Sequence, residues 1–401
     1  FKKNSEIFFS SEIKPILKFF KLTINFEDKE IYKYLNNNYF GDSKNTFFRN
    51  IFQVTPGTYC EYKNLKLQFK KYEITPNKKI IERSIKSELV NSVKKNLISD
   101  VEVALLYSGG VDSRSIYDLL PKNKKKKIKL FHLNFEDFSE IRNTSNLKNL
   151  KSFSFKKKDF FFNLNRCSKI CESPPLSLFS LGYLKLFGSI KKNKIKVVLN
   201  GQGIDENFGG YNSLFNKLKK IKIFHPNGDI LLNGSDFFKK KFVNDSKKNI
   251  LKKKYDFLKK TKIPKNLIQI DKLSMNFSLE CRTPYLTNSI FKNTFNLSRK
   301  NMKGTKNNKY LFRKILYSIT KNNDYFIKKN YKQSPQEEYL RDKKIFSKIK
   351  EIIGKKNYCD KYFNKKNLKN YLSKFEKNQN NGFLIWQYIS LNSFIKAFKK
   401  I

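Results

Sequence analysis

The apolar positions change period along the chain, and the changes divide it. Ile81, Ile85, Leu89 and Val93 recur at four-residue steps and predict an amphipathic helix over 80–98. An apolar run at 101–107 follows and stops abruptly at Ser-Gly-Gly-Val-Asp-Ser, with a helix expected over 115–120. Residues 127–135 predict a second strand, 140–150 a helix and 152–155 a third strand. Residues 160–171 predict a helix stopped before Pro174-Pro175, 176–190 another helix, and 194–199 a strand that ends in Asn200-Gly201-Gln202-Gly203. Strands alternating with helices predict a parallel, doubly wound α/β sheet. Before it, over 1–75, short aromatic runs at 7–9, 53–59 and 65–72 alternate with turns and predict a β-rich layer, with a helical pattern over 29–37 and a linker around 74–79. Beyond Tyr211 the pattern is mostly helical, at 267–279, 309–319, 335–353 and 384–398, with an irregular insertion around 225–234.

In such sheets ligands bind beyond the carboxyl ends of the strands. Two of those ends carry glycine-rich turns with an aspartate, at 108–113 and 200–211, which favours one shared site. In the first turn, Gly109 and Gly110 let the backbone approach an anion without a Cβ in the way, and Ser108 and Ser113 add hydroxyl donors. A carboxylate at Asp112 repels phosphate unless a hard cation such as Mg²⁺ lies between, and Asp205 of the second turn can be the second carboxylate for that cation. A capped strand-to-helix turn and a glycine-punctuated loop remain the plain readings of each stretch taken singly.

Composition changes this picture little. The formal charge of +51 would ordinarily suggest nucleic acid, but the lysines lie in every loop, for example 122–127, so they read as a solvated surface and no specific nucleic-acid partner is expected. No run of about 18 apolar residues is free of charge, so no membrane segment is expected. No signal peptide is visible, and five scattered cysteines suggest reduced thiols and a cytoplasmic setting. The start at Phe1 suggests a fragment or a processed product.

The two turns taken together, with three later segments, resemble the synthetase domain of the glutamine-dependent asparagine synthetases. Residues 108–113 resemble the pyrophosphate-binding signature of the ATP pyrophosphatase fold, and Asn-Gly-Gln-Gly-Ile-Asp-Glu-Asn-Phe-Gly-Gly-Tyr at 200–211 resembles the family's second loop. Ser-Leu-Glu-Cys-Arg-Thr-Pro-Tyr-Leu at 278–286, Lys-Tyr-Leu-Phe-Arg at 309–313 and the stretch 329–341 with Pro335 follow in the family's order, and the resemblance is best over 80–345. It implies an adenine nucleotide alpha hydrolase-like domain over 76–401, with a helical C-terminal part. Residues 1–75 would be the β-rich remnant of a class II glutamine amidotransferase (glutaminase) domain.

The resemblance also implies a chemistry. ATP and Mg²⁺ would activate the carboxylate of aspartate as an acyl-adenylate, and ammonia, drawn from glutamine in the complete protein, would displace AMP to give asparagine. Ser108, Gly109, Gly110 and Ser113 would cradle pyrophosphate, Asp112 and Asp205 would hold the metal, and Leu106, Leu133, Asn200 and Gly201 would contact adenosine. Lys309 would be the catalytic lysine, while Glu280 and Arg282 either shape the substrate pocket or form a buried ion pair. Gln202 stands where the family's motif has a glutamate assisting acyl-adenylate formation, and Gln cannot accept a proton at neutral pH. An amidotransferase of the same kind acting on another carboxylate, such as a sugar acid, is therefore the alternative. The family's glutaminase relies on an N-terminal Cys, whereas Cys60 is internal and reads as a strand thiol, so the chain as it stands is not expected to hydrolyse glutamine. Small molecules are the expected partners, and a homodimer the candidate assembly.

Overall fold

The computed structural model describes every residue except 4–5, 39, 65, 139–146, 216–229, 233–249, 328–333 and 400–401. The chain opens with a short hairpin, β1 (Lys2–Lys3) and β2 (Glu6–Ile7), and helices α1 (Ile13–Phe19) and α2 (Asp28–Asn37). A second hairpin follows, β3 (Thr58–Lys63) and β4 (Lys66–Lys71), and then α3 (Glu82–Asn96). The aromatic runs of 1–75 therefore give two small hairpins with two helices between them, α1 being unforeseen.

Next come β5 (Val103–Leu106), α4 (Val111–Leu119), α5 (Lys122–Lys127), β6 (Lys129–Phe135), β7 (Leu150–Phe155), α6 (Phe160–Cys171), α7 (Leu178–Lys192), β8 (Val197–Leu199) and α8 (Ile204–Phe208). After α9 (Ile250–Asp256), a short π-helical turn leads into α10 (Ile263–Met275) and β9 (Glu280–Arg282). The remainder is helical: α11 (Asn288–Thr294), α12 (Arg299–Met302), α13 (Tyr310–Thr320), α14 (Gln336–Arg341), α15 (Lys343–Gly354), α16 (Lys365–Glu376) and α17 (Phe383–Lys399).

Five strands form one parallel sheet in the order β7-β6-β5-β8-β9. Leu105 of β5 faces Leu130 on one side and Leu199 on the other. Alternation along β5 feeds two cores. Ala104 and Leu106 belong to the larger one, with Phe131, Val198 and the C-terminal helix, while Leu105 and Tyr107 belong to the other, with Leu130, Leu199 and Phe312. The chain winds outward from β5 to β7 and then returns to β8 on the opposite side. The order reverses between β5 and β8, where a doubly wound sheet opens a crevice.

Several expectations change. The lysines of 122–127 form the helical turn α5 instead of a loop. The helix expected over 335–353 is two helices, because Asp342 leaves helical geometry (φ −55°, ψ 130°) and its carboxylate accepts from the backbone N–H of Lys344 and Ile345 at 3.1 and 3.2 Å. The helix expected over 140–150 lies mostly outside the described residues, and its described end turns into β7. The insertion at 225–234 also lies outside them, apart from 230–232.

Candidate active site

The first turn is held open by its own side chains. Ser113 Oγ accepts from the backbone N–H of Ser108 at 3.0 Å and lies 3.1 Å from Ser108 Oγ. Gly109 takes φ +72°, a left-handed conformation that suits glycine, and α4 starts directly after Gly110. Asp112 sits in the first turn of α4, where the positive end of the helix favours a carboxylate. The second turn packs closely on the first. A Cβ on Gly201 would lie 3.0 Å from the carbonyl carbon of Asp112, so a larger residue there would press on the start of α4.

Lys309 joins the two turns. It is the buried residue before α13, in a left-handed conformation (φ 59°, ψ 38°). Its ammonium donates to both carboxylate oxygens of Asp112 at 2.8 Å and pairs with Asp205 Oδ1 at 2.7 Å. Burial disfavours its charge, but the two aspartates outweigh that and raise its pKa above the ordinary lysine value. Asn308 ties the same segment to the second turn by donating to the Gly210 carbonyl at 2.9 Å. Two carboxylates converging on one cation, with only hard oxygen donors, fit Mg²⁺ completed by phosphate oxygens and water. Among the described residues no group of three or more His, Cys, Asp or Glu gathers to hold a metal by protein ligands alone.

A cavity of about 460 Å³ opens beside these turns, beyond the carboxyl ends of β5, β6 and β8. Leu106, Ser108, Asp112, Ser113, Leu133, Asn200, Gly201, Gln202 and Asp205 all line it. Gly109, Gly110 and Lys309 are not in the cavity wall, and Lys309 reaches the site through the aspartates. Asn200 organises the second turn, accepting from the Gln202 backbone N–H at 2.9 Å and donating to Cys281 Sγ at 3.0 Å.

Glu280 and Arg282 are not brought to the cavity wall. Of their two expected roles, the structure realises an ion pair (2.8 Å), but with the Glu280 side chain exposed rather than buried. Arg282 turns away to donate to the carbonyls of Asn96 and Ile98 at the end of α3. The neighbouring Tyr285 is the structural link. Its hydroxyl lies 2.6 Å from Ser115 Oγ on α4, and its carbonyl accepts from Asn207 of α8 at 3.0 Å.

The cavity also contains residues to which the sequence assigned no role. His132 is buried, with Nδ1 2.9 Å from the Tyr107 carbonyl oxygen and Nε2 2.6 Å from Asn134 Oδ1. Glu206 is buried and accepts from the Tyr211 hydroxyl at 2.7 Å, and burial pushes its pKa up to about 7. Behind this wall the Lys262 ammonium lies 4.2 Å from the Tyr211 ring centroid; burial lowers its pKa, while attraction to Glu206 and Asp205 acts the other way. Glu206 stands beside Asp205 in the quoted loop, so its position carried a signal that went unread.

Residues 84–396 match the family model described as asparagine synthase. The chain is 28% identical over 229 residues to a putative asparagine synthetase (glutamine-hydrolyzing) 2 of Methanocaldococcus jannaschii, covering 52% of this chain and 43% of that protein. It is 26% identical over 200 residues to the amidase chyE of Penicillium rubens, covering 42% of this chain and 30% of that protein. It is 22% identical over 241 residues to the amidase chry2 of Gibberella zeae, covering 52% of this chain and 35% of that protein. The chain thus matches less than half the length of each of these curated relatives.

Proposed function

The chain belongs to the asparagine synthase family, and from that premise we propose that it is an ATP-dependent amide ligase that makes asparagine from aspartate and ammonia. The observation that carries this reading is the convergence of Asp112 and Asp205 on Lys309 where the sheet reverses. A carboxylate oxygen of the acceptor attacks the α-phosphorus of ATP, and pyrophosphate leaves. Ammonia then attacks the acyl carbon, AMP departs, and the attacking nitrogen loses a proton. Ser108 and Ser113 offer hydroxyls, and the start of α4 offers backbone N–H groups, to the pyrophosphate. Lys309 is a point charge suited to phosphate oxygens in the adenylation transition state. Magnesium held by Asp112 and Asp205 would neutralise charge building on the pyrophosphate. Leu106 and Leu133 supply apolar cavity wall, and Asn200 and Gly201 polar and backbone wall, for adenosine.

Purified protein with ATP, Mg²⁺, aspartate and ammonia is expected to yield AMP, pyrophosphate and asparagine in equal amounts. Asp112→Asn and Lys309→Ala are each expected to lower the rate by about 10²–10³-fold. Adenylation that survives both substitutions would falsify the assignment. A second reading keeps the chemistry and moves it to another carboxylate, such as a sugar acid. Gln202, a neutral side chain in the cavity wall, favours it, and pyrophosphate release across a panel of carboxylates separates the two.

A further inference from the structure

A second hollow, of about 190 Å³, lies between the first and last segments of the chain and shares no wall residue with the cavity at the two turns. Four stretches form it: residues 24–26 ahead of α2, Arg49, the turn 358–362 between α15 and α16, and the end of α17. The Arg49 backbone N–H donates to the Asn25 carbonyl at 2.8 Å, which joins the first two of these stretches. Phe26 and Ile395 are buried and give the hollow an apolar floor.

Arg49, Lys361 and Lys399 line the hollow, each from a different stretch, and no carboxylate does. Asp28 is the carboxylate beside this wall. It accepts from Lys361 Nζ at 2.7 Å and from the Tyr362 hydroxyl at 2.6 Å, and Arg49 also acts on it electrostatically. One carboxylate thus serves three cations, and an excess of two positive charges remains. The Lys399 ammonium lies 4.4 Å from the Tyr358 ring centroid, and neither Lys399 nor Arg49 makes a direct ion pair among the described residues.

On an open surface, like charges are screened over about 8–10 Å of physiological salt solution. Around a hollow with an apolar floor that screening is weaker, and an anion placed between the cations relieves their repulsion. The volume lies below the roughly 300–1,000 Å³ of drug-sized sites, which points to a ligand smaller than a nucleotide. A phosphate dianion matches the excess of two charges and suits the planar fork of an arginine. The floor suits a short apolar body attached to it. A hollow admits a free molecule, whereas a membrane surface would lie across it.

We propose that this hollow is a second ligand site that takes a small phosphate monoester, with the phosphate between Arg49, Lys361 and Lys399 and the apolar body on Phe26 and Ile395. The event is binding alone, with no bond made or broken, and it ties the first segment to the last helix. It stands apart from the ligase reading.

The test is isothermal titration of the full chain with phenyl phosphate and with inorganic phosphate, at a fixed ionic strength of about 0.15 M. One phenyl phosphate is expected to bind per chain with a Kd of about 0.1–1 mM, and inorganic phosphate more weakly because it leaves the floor uncovered. Arg49→Gln with Lys399→Gln is expected to weaken phenyl phosphate about tenfold and to leave ATP–pyrophosphate exchange unchanged. Both side chains are exposed, so the fold should tolerate the change. Lys126→Gln with Lys127→Gln on α5 removes the same charge elsewhere and should leave the Kd unchanged. Equal weakening by the two pairs, or a titration that does not saturate, overturns the proposal by assigning the effect to general surface charge. Binding lost in Lys309→Ala but kept in the Arg49 and Lys399 pair overturns it by placing the ester in the cavity at the two turns. Retention on phosphatidic acid vesicles without saturable binding of phenyl phosphate overturns it in favour of a membrane surface.

Discussion

Gly210 shows how tightly single residues are placed. A Cβ there would fall 1.6 Å from Asp205 Oδ1 and 2.7 Å from Lys309 Cε. Gly210→Ala must therefore displace the pair, and a shift of about 1 Å at reacting groups costs on the order of 10²-fold in rate. We expect that loss in ATP–pyrophosphate exchange, with far-ultraviolet circular dichroism unchanged. Glu206 sets a second test at the same scale. Burial raises its pKa from 4.5 to about 7, so the folded chain binds a proton there more tightly than the unfolded one. Its ionisation thus opposes folding above about pH 7, and the penalty fades as pH falls from 7 towards 4.5. At about 1.4 kcal/mol per pKa unit the penalty approaches roughly 3 kcal/mol at high pH. Glu206→Gln should stabilise the chain at pH 8 and change little at pH 5, as measured by urea unfolding at both. Destabilisation at pH 8 would mean that the carboxylate is kept for the fold, and not despite it.

Among elements, the turn after β9 does most to position the site. Tyr285 bridges α4 and α8, and Ser92 of α3 donates to the neighbouring Pro284 carbonyl. Tyr285→Phe leaves the ring in place and removes one buried hydroxyl contact, while Ser115 keeps its bond to the Asp112 carbonyl at 2.7 Å. The expected loss is about 1–2 kcal/mol in chemical denaturation. How far elements could be read from sequence follows the strength of local pattern. The helix α3 has a strict four-residue period and the strand β5 a continuous apolar run, and both lie where the pattern puts them. The break at Asp342 was signalled twice, by a capping residue and by the four charged residues 341–344 that interrupt the apolar period. The direction of Arg282 follows from the two-residue period of a strand. Glu280 and Arg282 share one face, and Cys281 on the other meets Asn200. The motif gave the residues but not the face. The cavity wall was harder to read, because His132 of β6 meets Glu206 and Tyr211 of the second turn there, and no period or spacing links those two segments.

Over the whole molecule, the first and last segments share a core. Phe26 and Phe48 pack on Phe394 at ring distances of 5.3 and 5.6 Å, and Gln387 donates to the Tyr34 and Leu35 carbonyls. Against that cohesion stands the charge: 85 Lys and Arg to 34 Asp and Glu, a formal net of +51. Salt acts on two opposing sets of interactions. It weakens exposed ion pairs such as Lys350–Glu376, whose side chains are about half exposed, but such pairs contribute only about 0–1 kcal/mol each. It also screens repulsion among the excess cations, which compaction brings together. With roughly one anion for every two or three cations, most lysines have no pair to lose, so relief of repulsion should dominate. The melting temperature is therefore expected to rise between 50 and 500 mM NaCl (both about), by roughly 2–4 °C for each kcal/mol regained, as the Debye length shortens from above 10 Å towards about 4 Å. The buried Lys309 contacts are shielded from solvent and should respond much less. A fall in melting temperature over that range would mean that surface pairs outweigh the repulsion, and that the lysine excess is arranged with more local order than its spread along the sequence indicates.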